Sequence, residues 1–209
     1  MKGAFITIEG VEGCGKSTQV IGLKHYLESM DYVVEVTREP GGTSAGEAIR
    51  AVLLDSAQKD LSPTAELLLY AAARAQHVDQ RIRPALEAGR IVLCDRFADS
   101  TTAYQGAGRA IDPADLEELH RLATRGVWPD LTIVIDLPVA QGLARAAQVH
   151  EPDRLEREPL AFHERVRQGF LQIAQREPGR VKVVDGSASI PDVAEAIQHL
   201  VDGFLDSRT

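Results

Sequence analysis

Only two cysteines occur in the 209-residue chain, Cys14 and Cys94, far apart and without metal-ligand spacing. A disulfide-stapled scaffold and a cysteine metal site are therefore not expected, and reduced thiols in a cytoplasmic protein are the simple reading. Positive charge is also scarce: 23 Lys and Arg against 31 Asp and Glu leave a net charge of −8. That balance argues against a broad electrostatic grip on a nucleic-acid polymer. No apolar run approaches the ~20 residues that a membrane helix needs. Met1–Gly10 leads into a strand and a loop, not into a charged-then-apolar leader. The guanine-reading pattern Asn-Lys-x-Asp is missing, which disfavours a GTP switch, and no internal repeat is visible. With 44% hydrophobic and 26% charged residues, the chain reads as a soluble globular protein, one domain over 1–209.

Five short β-branched or wholly apolar runs stand out: Ala4–Ile8, Tyr32–Val36, Ile91–Asp95, Leu131–Asp136 and Val181–Asp185. Between them, apolar residues recur at helical spacing, predicting helices near 16–29, 44–54, 63–88, 113–124, 138–147, 158–176 and 191–205. Ser62-Pro63 supplies a cap and a first-turn proline, whereas Pro84 predicts a kink or an early end. Strands that are apolar on both faces and alternate with helices imply an α/β fold. A five-stranded parallel sheet with helices on either side, three layers in all, is expected. Residues 147–158 differ from their surroundings, with Glu151, Asp153, Arg154, Glu156, Arg157 and Glu158 and few apolar side chains. That stretch reads as a solvated connection or as a mobile lid, the lid spanning 141–158.

Gly10-Val11-Glu12-Gly13-Cys14-Gly15-Lys16-Ser17 satisfies G-x-x-x-x-G-K-[ST] at each fixed position, between a strand and a helix. Glycines let backbone N–H groups turn inward around an anion, and the helix N-terminus adds partial positive charge. Lys16 is expected on the β- and γ-phosphates of a nucleoside triphosphate, with Ser17 on Mg²⁺. Asp95 closes a four-residue apolar run and is the favoured acid on the metal side, since Arg96 follows it. Asp136 competes for that role, but capping the next helix accounts for it better. Transfer to a second phosphate calls for arginines from several segments, among them Arg38, Arg74, Arg96, Arg109, Arg145 and Arg154. Arg38 and Arg96 lie just past strand ends, the ligand edge of an open α/β sheet.

Taken together, these landmarks resemble the bacterial thymidylate kinases over nearly the whole chain. The resemblance rests on the phosphate loop, Thr37-Arg38-Glu39-Pro40-Gly41-Gly42-Thr43, Tyr70-Ala71-Ala72-Ala73-Arg74 and Asp95-Arg96-Phe97. It continues through Ser100-Thr101-Thr102-Ala103-Tyr104-Gln105-Gly106 and Asp153-Arg154-Leu155-Glu156. It implies a nucleoside-monophosphate-kinase-like fold and γ-phosphate transfer from ATP to dTMP with Mg²⁺, in the service of dTTP synthesis. Gly10–Ser17, Thr18 and Arg145 would bind ATP. Glu12, Arg38, Tyr70, Arg74, Arg96, Ser100, Thr101, Tyr104 and Gln105 would bind dTMP. In that scheme Arg38 and Arg96 hold the acceptor phosphate, Tyr70 stacks on thymine, and Arg74 donates to O4. Tyr104 packs near C2′, and Glu12 faces the sugar or the metal. No arginine occupies positions 11–14, so the resemblance is to the type whose catalytic arginine sits in the lid, here Arg154. Lys16, Arg96, Arg154 and Glu12 would carry catalysis, Ser17 and Asp95 the metal, and a homodimer is implied. Another small P-loop nucleoside or monophosphate kinase is the alternative, and a nucleotide-binding regulator the reading from a different class.

Overall fold

The computed structural model describes residues 3–58, 60–149 and 151–208; residue 150 of the expected lid lies outside them. Five strands, β1 (Ala4–Glu9), β2 (Val34–Arg38), β3 (Ile91–Asp95), β4 (Leu131–Asp136) and β5 (Val181–Asp185), form one parallel sheet ordered β2-β3-β1-β4-β5. Period-two alternation splits the sheet's two faces. Ala4, Ile6 and Ile8 join Ile91 and Leu93 in one apolar cluster with Val20, Leu23 and Leu27 of α1 (Lys16–Ser29). Phe5, Val92 and Cys94 form a second cluster with Val78, Ile82 and Phe97. The expected sheet is therefore the observed one. β2 starts two residues later than its composition suggests, because Tyr32 N–H turns back to the Leu27 carbonyl at 3.2 Å.

The segment after Ser62 does not break at Pro84. Helix α3 (Pro63–His77) widens into a π-helical turn at Val78–Ile82 and continues as α4 (Arg83–Glu87). Arg83 N–H reaches back to the Val78 carbonyl, and the wider turn makes room for the proline that follows. A second such turn was not foreseen. Helix α5 (Ala98–Thr101) runs into π-helical Thr102–Gly108, a stretch for which the sequence suggested binding residues but no element. Small residues let this stretch lie against α8 (Leu160–Arg176): a Cβ on Gly108 would stand 2.6 Å from the Phe162 ring, and one on Gly169 2.9 Å from Ala107. The remaining helices are α2 (Ser44–Leu54), α6 (Pro113–Thr124), α7 (Val139–Ala146) and α9 (Ile190–Asp206).

Helix α7 packs on the phosphate loop at backbone distance. A Cβ on Gly142 would stand 2.2 Å from the Glu12 carbonyl oxygen, and one on Gly13, whose φ is 65°, would stand 2.0 Å from the Gly142 carbonyl oxygen. Backbone cannot swing aside as a side-chain tip can, so Gly142→Ala must push α7 and the loop apart. By contrast, Gly203 within α9 has open space around its missing Cβ. Thermal unfolding should separate the two: Gly142→Ala destabilises by about 1–3 kcal/mol through overpacking, and Gly203→Ala stabilises by about 0.5–1 kcal/mol through helix propensity. Equal behaviour of the two variants would refute the close approach.

Candidate active site

The phosphate loop leaves β1 at Glu9 and enters α1 at Lys16, with Gly10, Gly13 and Gly15 all at positive φ. Gly15 caps α1 without a side chain, so the first N–H groups of the helix are left to the loop's concave side. Lys16 is buried and donates from Nζ to the Val11 carbonyl at 2.8 Å and the Gly10 carbonyl at 3.2 Å. Ser17 Oγ donates to Asp95 Oδ2 at 2.8 Å, bringing a hydroxyl and a carboxylate together beside the loop. This pair suits Mg²⁺, which prefers hard oxygens, takes few protein ligands and fills its shell with water and phosphate oxygens. Among the described residues no group of three or more His, Cys, Asp or Glu could hold a metal by itself.

Next to the loop opens a cavity of about 310 Å³. Its lining includes Glu12, Lys16, Ser17 and Asp95, together with Arg38, Arg50, Tyr70, Arg74, Arg96, Ser100, Thr101, Tyr104 and Gln105. The ends of β2 and β3 each deliver a cation. Past β2, Arg38 donates to Glu47 Oε2 at 2.7 Å while Glu47 Oε1 accepts from Gly42 N–H at 3.0 Å. Past β3, Arg96 sits at φ 71°, donating to the Gly10 carbonyl at 2.9 Å and to Ser100 Oγ at 3.2 Å. Its guanidinium lies 5.1 Å above the Tyr104 ring, a cation–π distance. From α2, Arg50 donates to the Pro40 carbonyl at 3.0 Å. Proline 40 follows a cis peptide bond.

Arg74 is only 2% exposed, so its charge requires a partner. Its Nε donates to Glu39 Oε2 at 2.8 Å, and its Nη2 to the Phe97 carbonyl and Thr101 Oγ1 at 3.1 and 3.0 Å. Glu39 Oε1 in turn meets His77 Nδ1 at 2.9 Å, and His77 Nε2 meets Thr37 Oγ1 at 2.6 Å. The guanidinium plane is thus fixed from behind. Glu12 is held as firmly, by the Tyr104 hydroxyl and by Arg96 Nη2 at 3.4 Å on Oε1, with His163 Nδ1 3.3 Å from Oε2. Burial would raise its carboxyl, but His163, Arg96, Lys16 and Tyr104 hold it down at about 2.

Not every expected residue reaches the cavity. Arg145 donates to the Gly186 carbonyl at 3.4 Å and does not line the cavity. Arg154 does not line the cavity; its Nε donates to the Leu53 carbonyl at 2.8 Å and its Nη2 pairs with Glu66 Oε2 at 2.6 Å. Its neighbours Asp153, Leu155 and Glu156 do line it. Gly13 lines the cavity, whereas Gly10, Val11, Cys14, Gly15 and Thr18 do not. Both cysteines are free, as expected, and both are buried. Asp136 does not cap α7, whose N-cap Pro138 offers no side-chain bond; it forms a bidentate pair with Arg167 at 2.7 and 2.8 Å instead. The metal-side reading therefore favours Asp95. Sequence reasoning missed Glu9, Arg50 and the backing residues Glu39 and His77. The Thr37–Thr43 motif contained Glu39, and its position one residue from Arg38 was the available signal.

A family model described as thymidylate kinase matches residues 8–197. The chain belongs to the thymidylate kinase family. It is 51% identical to a thymidylate kinase of Gloeobacter violaceus over 98% of this chain and 97% of that protein. It is 52% identical to one of Geobacter sulfurreducens over 93% of this chain and 94% of that protein. A crystal structure of thymidylate kinase from Ehrlichia chaffeensis superposes with a TM-score of 0.78 at 34% identity, covering 96% of this chain and 99% of that one. Family and fold agree with the three-layer α/β architecture, and the chain is a kinase.

Glu9 makes the sharpest pH statement in the site. Its carboxyl accepts from Phe97 N–H at 2.7 Å and from Ser100 Oγ at 2.6 Å, and so fixes the loop that carries Arg96. Burial, then Asp99, push it up to about 8 against the offsetting Ser100, Arg96 and Phe97. From about 4.5, where the unfolded carboxyl ionises, to about 8, where the folded one does, stability falls as pH rises; below that window it is fully present. Glu9→Gln cannot ionise. Its stability relative to the parent should therefore climb by up to about 4 kcal/mol between pH values of about 5 and 8. Denaturant titrations across that range check this, and a flat difference would mean that Glu9 is ionised throughout.

Proposed function

We propose that the chain phosphorylates dTMP to dTDP with ATP and Mg²⁺ in the cytoplasm, using the cavity residues in the following roles. The observation that carries this reading is that one cavity joins the Lys16–Ser17–Asp95 group to Arg38, Arg96, Tyr70, Arg74 and Gln105. The loop N–H groups and Lys16 hold the donor phosphates. Ser17 and Asp95 would hold Mg²⁺, which would supply positive charge to offset the negative charge of the phosphate oxygens. Arg38, Arg50 and Arg96 take the acceptor phosphate, placing it near the donor so that most of the rate comes from positioning and charge. Tyr70 stacks on the base while Arg74, held so that its donors cannot rotate away, meets O4. Tyr104 and Glu12 border the deoxyribose. Ser100 and Thr101 support Arg96 and Arg74 with their hydroxyls.

Arg145 lies on the adenosine side. Residues 141–158 act as the lid, and Arg154 leaves Glu66 to reach the transferring phosphoryl as the lid shuts out water. A homodimer forms through α3 and α6, packed neighbours that expose Leu68 and Leu122 at 51% and 61%. Sedimentation should give twice the monomer mass, and Leu122→Glu should return it to the monomer value.

ADP release measured with dTMP, dUMP, dCMP, AMP and dGMP in parallel should favour dTMP. Equal rates would remove the base assignment and leave the kinase intact. Arg154→Ala should lower kcat by about 100-fold, in the range found for a removed electrostatic donor, with the ATP dissociation constant within about threefold. Unchanged turnover would remove Arg154 from the chemistry.

A further inference from the structure

Glu66, in the first turn of α3, is fully buried yet does not line the cavity. Its Oε1 accepts from Gln105 Nε2 at 2.8 Å and from Arg109 Nε at 3.2 Å. Its Oε2 accepts from Arg109 Nη2 at 3.1 Å and faces Arg154 Nη2 at 2.6 Å. Two guanidinium groups therefore surround one carboxylate. Burial would raise its carboxyl, but Arg109, Gln105 and Arg154 hold it below the usual carboxylate range.

An ionised carboxylate accepts hydrogen bonds and gives none. Gln105 must accordingly turn its amide nitrogen toward Glu66, since the opposite flip would set two acceptors against each other about 3 Å apart, at a cost of ~1–3 kcal/mol. The amide orientation is thus dictated by chemistry. With one N–H given to Glu66, Gln105 keeps for the cavity that it lines a second N–H and the carbonyl oxygen, its only acceptor.

We infer that Glu66, without touching the acceptor nucleotide, selects a pyrimidine that carries a hydrogen on N3, by fixing Gln105 with its carbonyl oxygen toward the base. Thymine and uracil present N3–H as a donor. Cytosine presents N3 as an acceptor, which would meet the Gln105 oxygen without a hydrogen between them. Arg74, a donor, and Gln105, an acceptor, then form a pair complementary to the O4 and N3–H edge. The inference rests on the dTMP reading above. Glu66 is a positioning residue, and Arg109 and Arg154 are what keep it acceptor-only; Arg109 alone continues to do so when Arg154 departs with the lid.

The test measures dissociation constants for dTMP and dCMP by calorimetry, without ATP, so that the lid's part in turnover does not enter. Three proteins are compared: the parent, Glu66→Gln, and the exchange Glu66→Gln with Gln105→Glu. The amide in Glu66→Gln can offer either end, so Gln105 is free to flip and the dTMP-over-dCMP preference should drop about tenfold. The exchange restores a carboxylate oxygen toward the base, backed by an amide nitrogen, and should bring the preference back to within about threefold of the parent. A simple packing role for Glu66 predicts no such recovery. A folded Glu66→Gln protein with the parent's preference overturns the inference, as does an exchange protein indifferent to the base. If Glu66→Gln alone does not fold, the exchange protein decides by the same criterion. A parent that binds dTMP and dCMP alike instead overturns the acceptor assignment itself.

Discussion

Arginines in this site are held against carboxylates delivered by other elements, and that pairing organises everything around the cavity. Arg38 faces Glu47, Arg74 faces Glu39, Arg96 faces Glu12, and Arg109 and Arg154 share Glu66. An acidic chain can concentrate cations at one edge only by such neutralisation. The pairs are not equivalent. Arg38 and Glu47 are both about half exposed (49% and 46%), so their contact contributes roughly 0–1 kcal/mol and can be exchanged for a phosphate at little cost. Arg74 and Glu39 are 2% and 4% exposed, and breaking that pair would cost about 3–5 kcal/mol. One arginine is thus a replaceable clamp and the other a fixed fixture of the wall.

Arg96 combines both characters. Its left-handed backbone is costly for a side chain with a Cβ, by about 1–2 kcal/mol. Contacts to Gly10, Ser100, Glu12 and the Tyr104 ring offset that cost. Glu9 then locks the following residues through Phe97 and Ser100, so the strained turn is held from both sides. Because Arg96 also binds a carbonyl of the phosphate loop, donor-side and acceptor-side geometry share one side chain.

The strands and the phosphate loop were legible because each has a short-range signature: a short apolar or β-branched run, or fixed glycine spacing. The helices at 113–124 and 158–176 were legible for the same reason, through 3.6-residue periodicity. Residues 98–108 escaped because a short α turn followed by a π turn repeats at neither spacing. Arg50 escaped because it is one of eighteen arginines and no strand end singles it out. Glu9 looked like the tail of a strand; its partners, Phe97 and Ser100, lie about ninety residues away and come close only through the β1–β3 pairing. Asp136 showed the reverse error, a local capping role assigned where a distant Arg167 was the partner. Periodicity and spacing report on neighbours, whereas long-range polar pairs need the fold.

Ile8, Asp95 and Arg38 occupy one row of the parallel ladder, on β1, β3 and β2. Backbone bonds continue past that row, from Arg96 N–H to the Ile8 carbonyl at 3.1 Å and from Glu39 N–H to the Asp95 carbonyl at 3.0 Å. Adjacent strands stand about 4.8 Å apart, a spacing set by peptide hydrogen bonding and independent of side-chain identity. The row therefore works as a ruler, graduated in strand widths, on which the phosphate loop, Asp95 and Arg38 are successive marks. Residues on α3 and the π turn can drift and change what is bound, yet the gap between the two anchoring marks stays what the ladder makes it.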